Sequence, residues 1–212
     1  MKTTSTTAVI TLFLAIAVFS PVAVATTLSA DEQQFADLIN DYRAANALSA
    51  IDVTVTLTDV AQAHVLDLST YTPYGGNCNA HSWSNNGSWT GGCYTPDHAN
   101  ASLMWSKPSE FSGGAYSGNG YELIAIGFPS AADALNGFKN SFNHNNVLLN
   151  LDIWSNLQWS AMGVGIHQNY YSIWLGTQVD PQGLVGASSV PGPVSLWLFG
   201  AGLLGLAVRR NG

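Results

Sequence analysis

The chain has 212 residues, 13 acidic and 6 basic, for a formal charge of −7, and only 9% of its residues are charged. All 13 carboxylates fall between Asp31 and Asp180, where Arg43, Lys107 and Lys139 are the only basic residues, so that stretch stands at −10. Such a domain lacks the positive footprint that nucleic acid requires, and its length suits one domain with a sizeable core.

The N-terminus begins with Lys2, an apolar run "AVITLFLAIAVF" and the small-residue stretch "AVA" ending at Ala25. That order predicts a secretory signal peptide over residues 1–25 with cleavage after Ala25. The other reading is an N-terminal anchor, but the run is short against the roughly 20 residues of a membrane span.

Ser29 and Glu32 form a capping-box pattern, and Phe35, Leu38, Ile39 and Tyr42 follow at helical spacing. They predict a helix from about Asp31 to Asn46. "AIDVTVTL" reads as extended or loop. Thr58 can cap a second helix that places Val60, Ala61, His64, Val65 and Leu68 on one stripe. There His64 reads as a core or boundary histidine.

Residues 71–119 are rich in Gly, Pro, Asn and Ser, and a loop of this length is functional or stapled. Cys78 and Cys93, the only two cysteines, lie in it. In an exported chain the pair reads as a disulfide, with two free thiols as the alternative. Of Trp83, Trp89 and Trp105, packing is favoured over sugar stacking. "MWSKPSE" has no reading beyond a turn at Pro108.

"GYELIAIG" is a short apolar element. Pro129-Ser130 starts a third helix with Leu135, Phe138 and Phe142 facing the core, and "WSAMGVGI" and "YYSIWLGTQV" form a hairpin with His167 at its turn. The order suggests a sheet with helices on its faces. After "DPQGLVGASS", Val194 to Val208 is uncharged and apolar, about 22 Å of helix. Arg209 and Arg210 follow it and favour a cytoplasmic C-terminus.

Two resemblances organise these segments. Val190, Pro191, Pro193, the apolar stretch and the Arg209-Arg210 pair resemble a PEP-CTERM sorting tail, with Gly192 where the motif has Glu. It implies transient residence in the inner membrane and processing by an exosortase-type protease. The mature domain would then be periplasmic, at the cell surface or extracellular.

"FADLINDYRAANAL", "LTDVAQAHVLDLS", "HSWS", "GYELIAIG", "FKNSFNH" and the two closing strands together resemble, in order, the CAP superfamily of cysteine-rich secretory, antigen 5 and pathogenesis-related proteins. The resemblance implies an α+β fold: an α-β-α sandwich whose central, mostly antiparallel sheet is flanked by helices. Domain boundaries follow at 26–182 for the CAP domain, 183–189 for a linker and 190–212 for the tail.

The family pattern also implies a site of His81, Glu122 and His144, with Ser141 beside it as support; Asp97 and His98, an adjacent pair just after Cys93, could support the cleft or bind metal, but ordering the loop is the favoured reading. Leu123 stands where Asn is usual, Phe138 where Trp is usual, and Ser141 where many members carry a second Glu. Two imidazoles and a carboxylate could ligate a divalent cation, zinc or magnesium, or form an acid/base pair. The expectation is an extracellular binding module for an unidentified lipid, glycan or peptide. The alternatives are a hydrolase of peptides or matrix polymers with His81, Glu122 and His144 as catalytic candidates, and a structural surface protein.

Overall fold

The computed structural model describes residues 26–186. The signal peptide with its Ala25 cleavage site and the 190–212 tail with its sorting motif lie outside the described residues. Among the described residues, no helix is long and apolar enough to cross a membrane.

Helix α1 (Ala30–Ala45) starts on the capping box, with the Glu32 N–H donating to Ser29 Oγ and the Ser29 N–H to Glu32 Oε2. Its inward face buries Phe35 and Ile39 completely. Near its end the Arg43 guanidinium donates to the Leu148 carbonyl at 2.5 Å and to Asn150 Oδ1 at 2.8 Å, which ties the helix to a segment a hundred residues later. Burial lowers the pKa of Arg43 from its ordinary value.

Helix α2 (Val55–Tyr71) begins one turn before Thr58, the cap read from the sequence. The reason is remote. Asp180 accepts from the Thr56 N–H and from Thr56 Oγ1, both at 2.7 Å, and so supplies the N-terminal acceptors that no local residue provides. Two short helices, α3 (Ser102–Trp105) and α4 (Lys107–Phe111), interrupt the long loop. Helix α5 (Ala131–Asn140) buries Leu135 and Phe138 as expected. Phe142 is a correction. The backbone turns extended at Ser141 and restarts as α6 (Phe142–Leu148), leaving Phe142 73% exposed rather than in the core. A 3-10 turn, Asp152–Trp154, follows.

Strands β1 (Gly120–Ile126), β2 (Ala161–His167) and β3 (Tyr170–Gly176) make one antiparallel sheet in the order β1-β3-β2. The turn between β2 and β3 puts Gln168 at φ 54°. Side chains alternate across the sheet. Leu123, Met162, Val164, Ile173 and Leu175 pack against α1 and α5 on one face. Glu122, Ser172, Trp174 and the β2 glycines face α2. The α-β-α sandwich is therefore the observed architecture.

Helix α2 lies unusually near the sheet. A Cβ on Gly163 would meet the Leu57 carbonyl carbon at 2.0 Å, and one on Gly165 the Ala61 carbonyl carbon at 2.4 Å. Both obstacles are helix backbone, which cannot rotate away. Gly163→Ala is therefore expected to cost at least about 1–3 kcal/mol by overpacking. A urea midpoint equal to wild type would show that α2 does not press on β2.

Candidate functional site

The close approach of α2 brings His64 against β1. Glu122, paired with Trp174 in the β1–β3 ladder, points to the same side. Glu122 is 7% exposed as a residue, and no water reaches its carboxylate. Donors replace that water. Oε1 accepts from His64 Nδ1 at 2.5 Å, Ser172 Oγ at 2.6 Å and Trp174 Nε1 at 3.1 Å. Oε2 accepts from His81 Nδ1 at 2.9 Å.

His64 Nε2 lies 3.0 Å from the Ser82 carbonyl. A carbonyl only accepts, so His64 donates Nε2–H to Ser82 and turns its Nδ1 to Glu122. Burial pushes the Glu122 carboxyl up, but the His64 charge and the bonds from His64 and His81 outweigh it and hold the group at about 2. His81 differs. Its Nδ1 faces Glu122, and its Nε2 makes no hydrogen bond among the described residues. Its side chain is 17% exposed.

The loop carrying His81 is held at several points. The Cys78–Cys93 disulfide is present and closes it. Inside the bridge, Trp83 and Gly92 exchange backbone hydrogen bonds, and the Asn79 N–H donates to the Tyr94 carbonyl. Buried Asp67 of α2 accepts from the backbone N–H and the hydroxyl of Ser84. The Trp83 ring stacks on the His64 ring with centroids 4.1 Å apart and planes 12° off parallel.

On Trp83 lies Lys107, the residue that had no reading in "MWSKPSE". Lys107 is fully buried, with Nζ 4.7 Å from the Trp83 ring centre, and it donates to the Thr90 carbonyl at 2.5 Å and to Glu110 Oε2 at 2.6 Å. Burial lowers its pKa, and Glu110 works against that shift. The Thr90 N–H in turn donates to Glu110. Lys107 and Glu110 thus fasten the far end of the disulfide loop.

A cavity of about 500 Å³ opens beside β1. The loop segment lines one part with His81, Tyr94, His98 and Trp105, and α6 and the 3-10 turn line another with His144, Asn146 and Trp154. His81, Glu122 and His144 therefore border one space, although His144 makes no bond to Glu122. Among the described residues no hydrogen bond engages the His144 ring, which packs edge-on to Phe138 at 5.2 Å. Burial and the neighbouring His81 push its pKa down, against an opposing pull from Glu122. Among the described residues, no three His, Cys, Asp or Glu side chains gather as a ready metal cage.

The supporting residues divide. His98 lines the cavity, with Nδ1 2.9 Å from the Tyr94 hydroxyl. Asp97 orders its own turn by accepting from Thr95 Oγ1 and the Ala99 N–H. Ser141 stands at the start of α6, makes no side-chain cap bond and does not border the cavity. His167, expected in solvent, meets Ser69 Oγ at 2.8 Å. His64 is a core histidine, as read, but its partnership with Glu122 escaped the sequence reading. The available signal was an ionisable residue in each of two apolar segments, since each requires a buried partner.

The fold and this cluster define a family. The model of the CAP, or cysteine-rich secretory protein, family matches residues 36–175, and the chain belongs to that family. No curated protein matches it. Among solved structures, the chain is similar to an extracellular protein containing a SCP domain from Bacillus anthracis, at 21% identity and TM-score 0.50, covering 70% of this chain and 40% of that one. It is also similar to a cysteine-rich secretory protein from Staphylococcus aureus, at 14% identity and TM-score 0.48, with 74% and 40% covered. An outer surface protein from Borrelia burgdorferi matches at 15% identity and TM-score 0.46, with 73% and 99% covered. This chain thus spans about 40% of the length of the first two. At these identities the likeness is one of fold.

Two outcomes follow from the buried charges. Glu122→Gln removes the buried carboxylate on which His64, His81, Ser172 and Trp174 converge and is expected to cost about 3–5 kcal/mol at neutral pH. A carboxyl whose folded pKa is depressed stabilises the fold above its unfolded value of 4.5, and that stability is lost as pH falls through about 2. The gap between wild type and Glu122→Gln in denaturant melts should therefore narrow from pH 5 towards pH 2. A gap that stays constant with pH would show that Glu122 is not charged in the fold. Lys107→Met should cost about 2 kcal/mol and raise amide exchange over residues 83–92, while exchange in β3 stays slow.

Proposed function

We propose that the protein is an exported binding module whose cleft takes a divalent cation through His81 and His144, with Glu122 behind them. The observation that carries this reading is the His81–Glu122 bond. It gives Nδ1–H to a buried carboxylate and leaves Nε2 as the free donor atom in a cleft shared with His144. That is the arrangement in which a carboxylate orients a ligating imidazole and raises its basicity. His144 fits the same role, because burial favours its neutral, ligating form.

Glu122 fits as the orienting group better than as a ligand, since Oε1 already accepts three donors. Two imidazoles leave the remaining coordination positions to water or a bound molecule. Imidazole donors favour zinc over magnesium, which prefers oxygen ligands. Export is supported by the N-terminal charge, apolar run and Ala25 site, and by a disulfide, which suits an oxidising compartment. The C-terminal motif supports processing by an exosortase-type protease and a final position in the periplasm, at the cell surface or outside the cell.

Calorimetric titration with zinc is the test. His81→Ala and His144→Ala should each weaken binding at least tenfold, and magnesium should compete poorly. Equal affinity in wild type and both variants would remove the cleft as the cation site. The His81–Glu122 pair also favours a second reading, hydrolysis of peptides or matrix polymers with His81 as general base. Turnover of a substrate panel that disappears in His81→Ala would favour this reading over binding alone.

A further inference from the structure

The histidines occupy only part of the cavity, and the rest has a chemistry of its own. Trp105 projects from the short helix α3 and is 41% exposed, while its neighbours Leu103 and Met104 are buried. The core is filled without it. From the other side of the cavity comes Trp154, braced edge-on by Tyr121 at 5.3 Å and by Trp159 at 5.9 Å. Trp83 and Trp89, in contrast, pack on each other and on Phe111 inside the loop.

Asn146 lines the same cavity as the two tryptophans. It is 7% exposed and borders the cavity, and its amide makes no hydrogen bond within the described protein. The His144 ring beside it is equally unengaged. A buried amide facing a cavity without a protein partner calls for a polar ligand or water. A purely apolar guest would leave the Asn146 and His144 polar atoms unpaired, at a cost.

Charge narrows the class further. Among the described residues no lysine or arginine borders the cavity, and the two carboxylates that do are Glu122, already engaged, and Asp152. An anionic guest therefore meets no counter-charge here and is repelled by a domain at −10. With a cation already assigned to the His81 and His144 end of the cleft, the guest that suits the aromatic end is an uncharged molecule that is rich in hydroxyls yet has C–H faces to lay on aromatic rings. The ring faces carry partial negative charge, which suits the slightly positive C–H hydrogens of a sugar.

We propose that the cavity binds a neutral oligosaccharide, stacked on Trp105 and Trp154 and hydrogen-bonded by Asn146. The proposal rests on reading this cleft as the protein's binding site. The volume of about 500 Å³ lies within the usual range of small-molecule pockets, roughly 300–1,000 Å³.

The test is titration of the purified full-length chain with neutral hexasaccharides of β-1,4-glucose, β-1,3-glucose, β-1,4-N-acetylglucosamine and α-mannose, alongside a hexauronate and oleate. At least one neutral hexamer should bind saturably and more tightly than the hexauronate or oleate. Trp105→Ala and Asn146→Ala should each weaken it at least tenfold, with Trp105→Phe recovering most of the loss. Zinc affinity should stay within twofold of wild type in Trp105→Ala, so failure of the cation reading and failure of this one are distinguishable. No binding by any neutral hexamer overturns the proposal. So does preference for the hexauronate or oleate, or full glycan affinity in Trp105→Ala.

Discussion

Glu122 keeps a negative charge where water does not reach, and the domain is arranged around that requirement. Four donors meet its two oxygens, and they come from three segments besides its own strand: His64 from α2, Ser172 and Trp174 from β3, and His81 from the disulfide loop. An unpaired carboxylate at that depth would cost several kcal/mol. The close seating of α2 on Gly163 and Gly165 is what lets His64 reach it. The two bare glycines in the strand and the ion pair are thus parts of one solution. Without the short helix–sheet spacing, the His64 ring would not reach the carboxylate.

The same network joins stability to the cleft. Lys107, Trp83 and His64 form a column of ammonium, indole and imidazole rings, which ends on Glu122. Through it, the position of His81 depends on a lysine that does not touch the cleft. Lys107 and His64 each have partners beyond the column, Thr90 and Glu110 for the lysine and Ser82 for the histidine, while the Trp83 Nε1 is buried without a hydrogen-bond partner among the described residues. The loop is therefore a rigid wall despite its glycine and asparagine content, and the disulfide is one of several fastenings.

Much of this was legible in the sequence, but unevenly. The apolar periodicity that marks α1, the β2–β3 hairpin and the start of α5 is local, and local signals survive folding when tertiary contacts agree with them. The start of α2 was misplaced because its cap, Asp180, lies 124 residues away from Thr56. Phe142 was assigned to the core because its spacing continues the α5 stripe, and nothing local announces the break at Ser141. His81, Glu122 and His144 were grouped by family resemblance alone, since their spacing carries no geometric information. The role of Lys107 was invisible for a related reason. A lysine next to a proline reads as surface, and only the aromatic ring above it and the Thr90 carbonyl beside it reverse that.

The Asp180 cap has a further consequence, for the order of events in the life of the chain. Helix α2 lies in the first third of the sequence, yet the acceptors for its first turn arrive only with the last residues of the domain. The strands that complete Glu122's donor set, β2 and β3, are also late. Contacts of such long sequence separation close slowly, because the intervening chain must first be gathered. A nascent chain emerging from its N-terminus therefore has neither a finished α2 nor a neutralised Glu122 until nearly all of residues 26–186 are available.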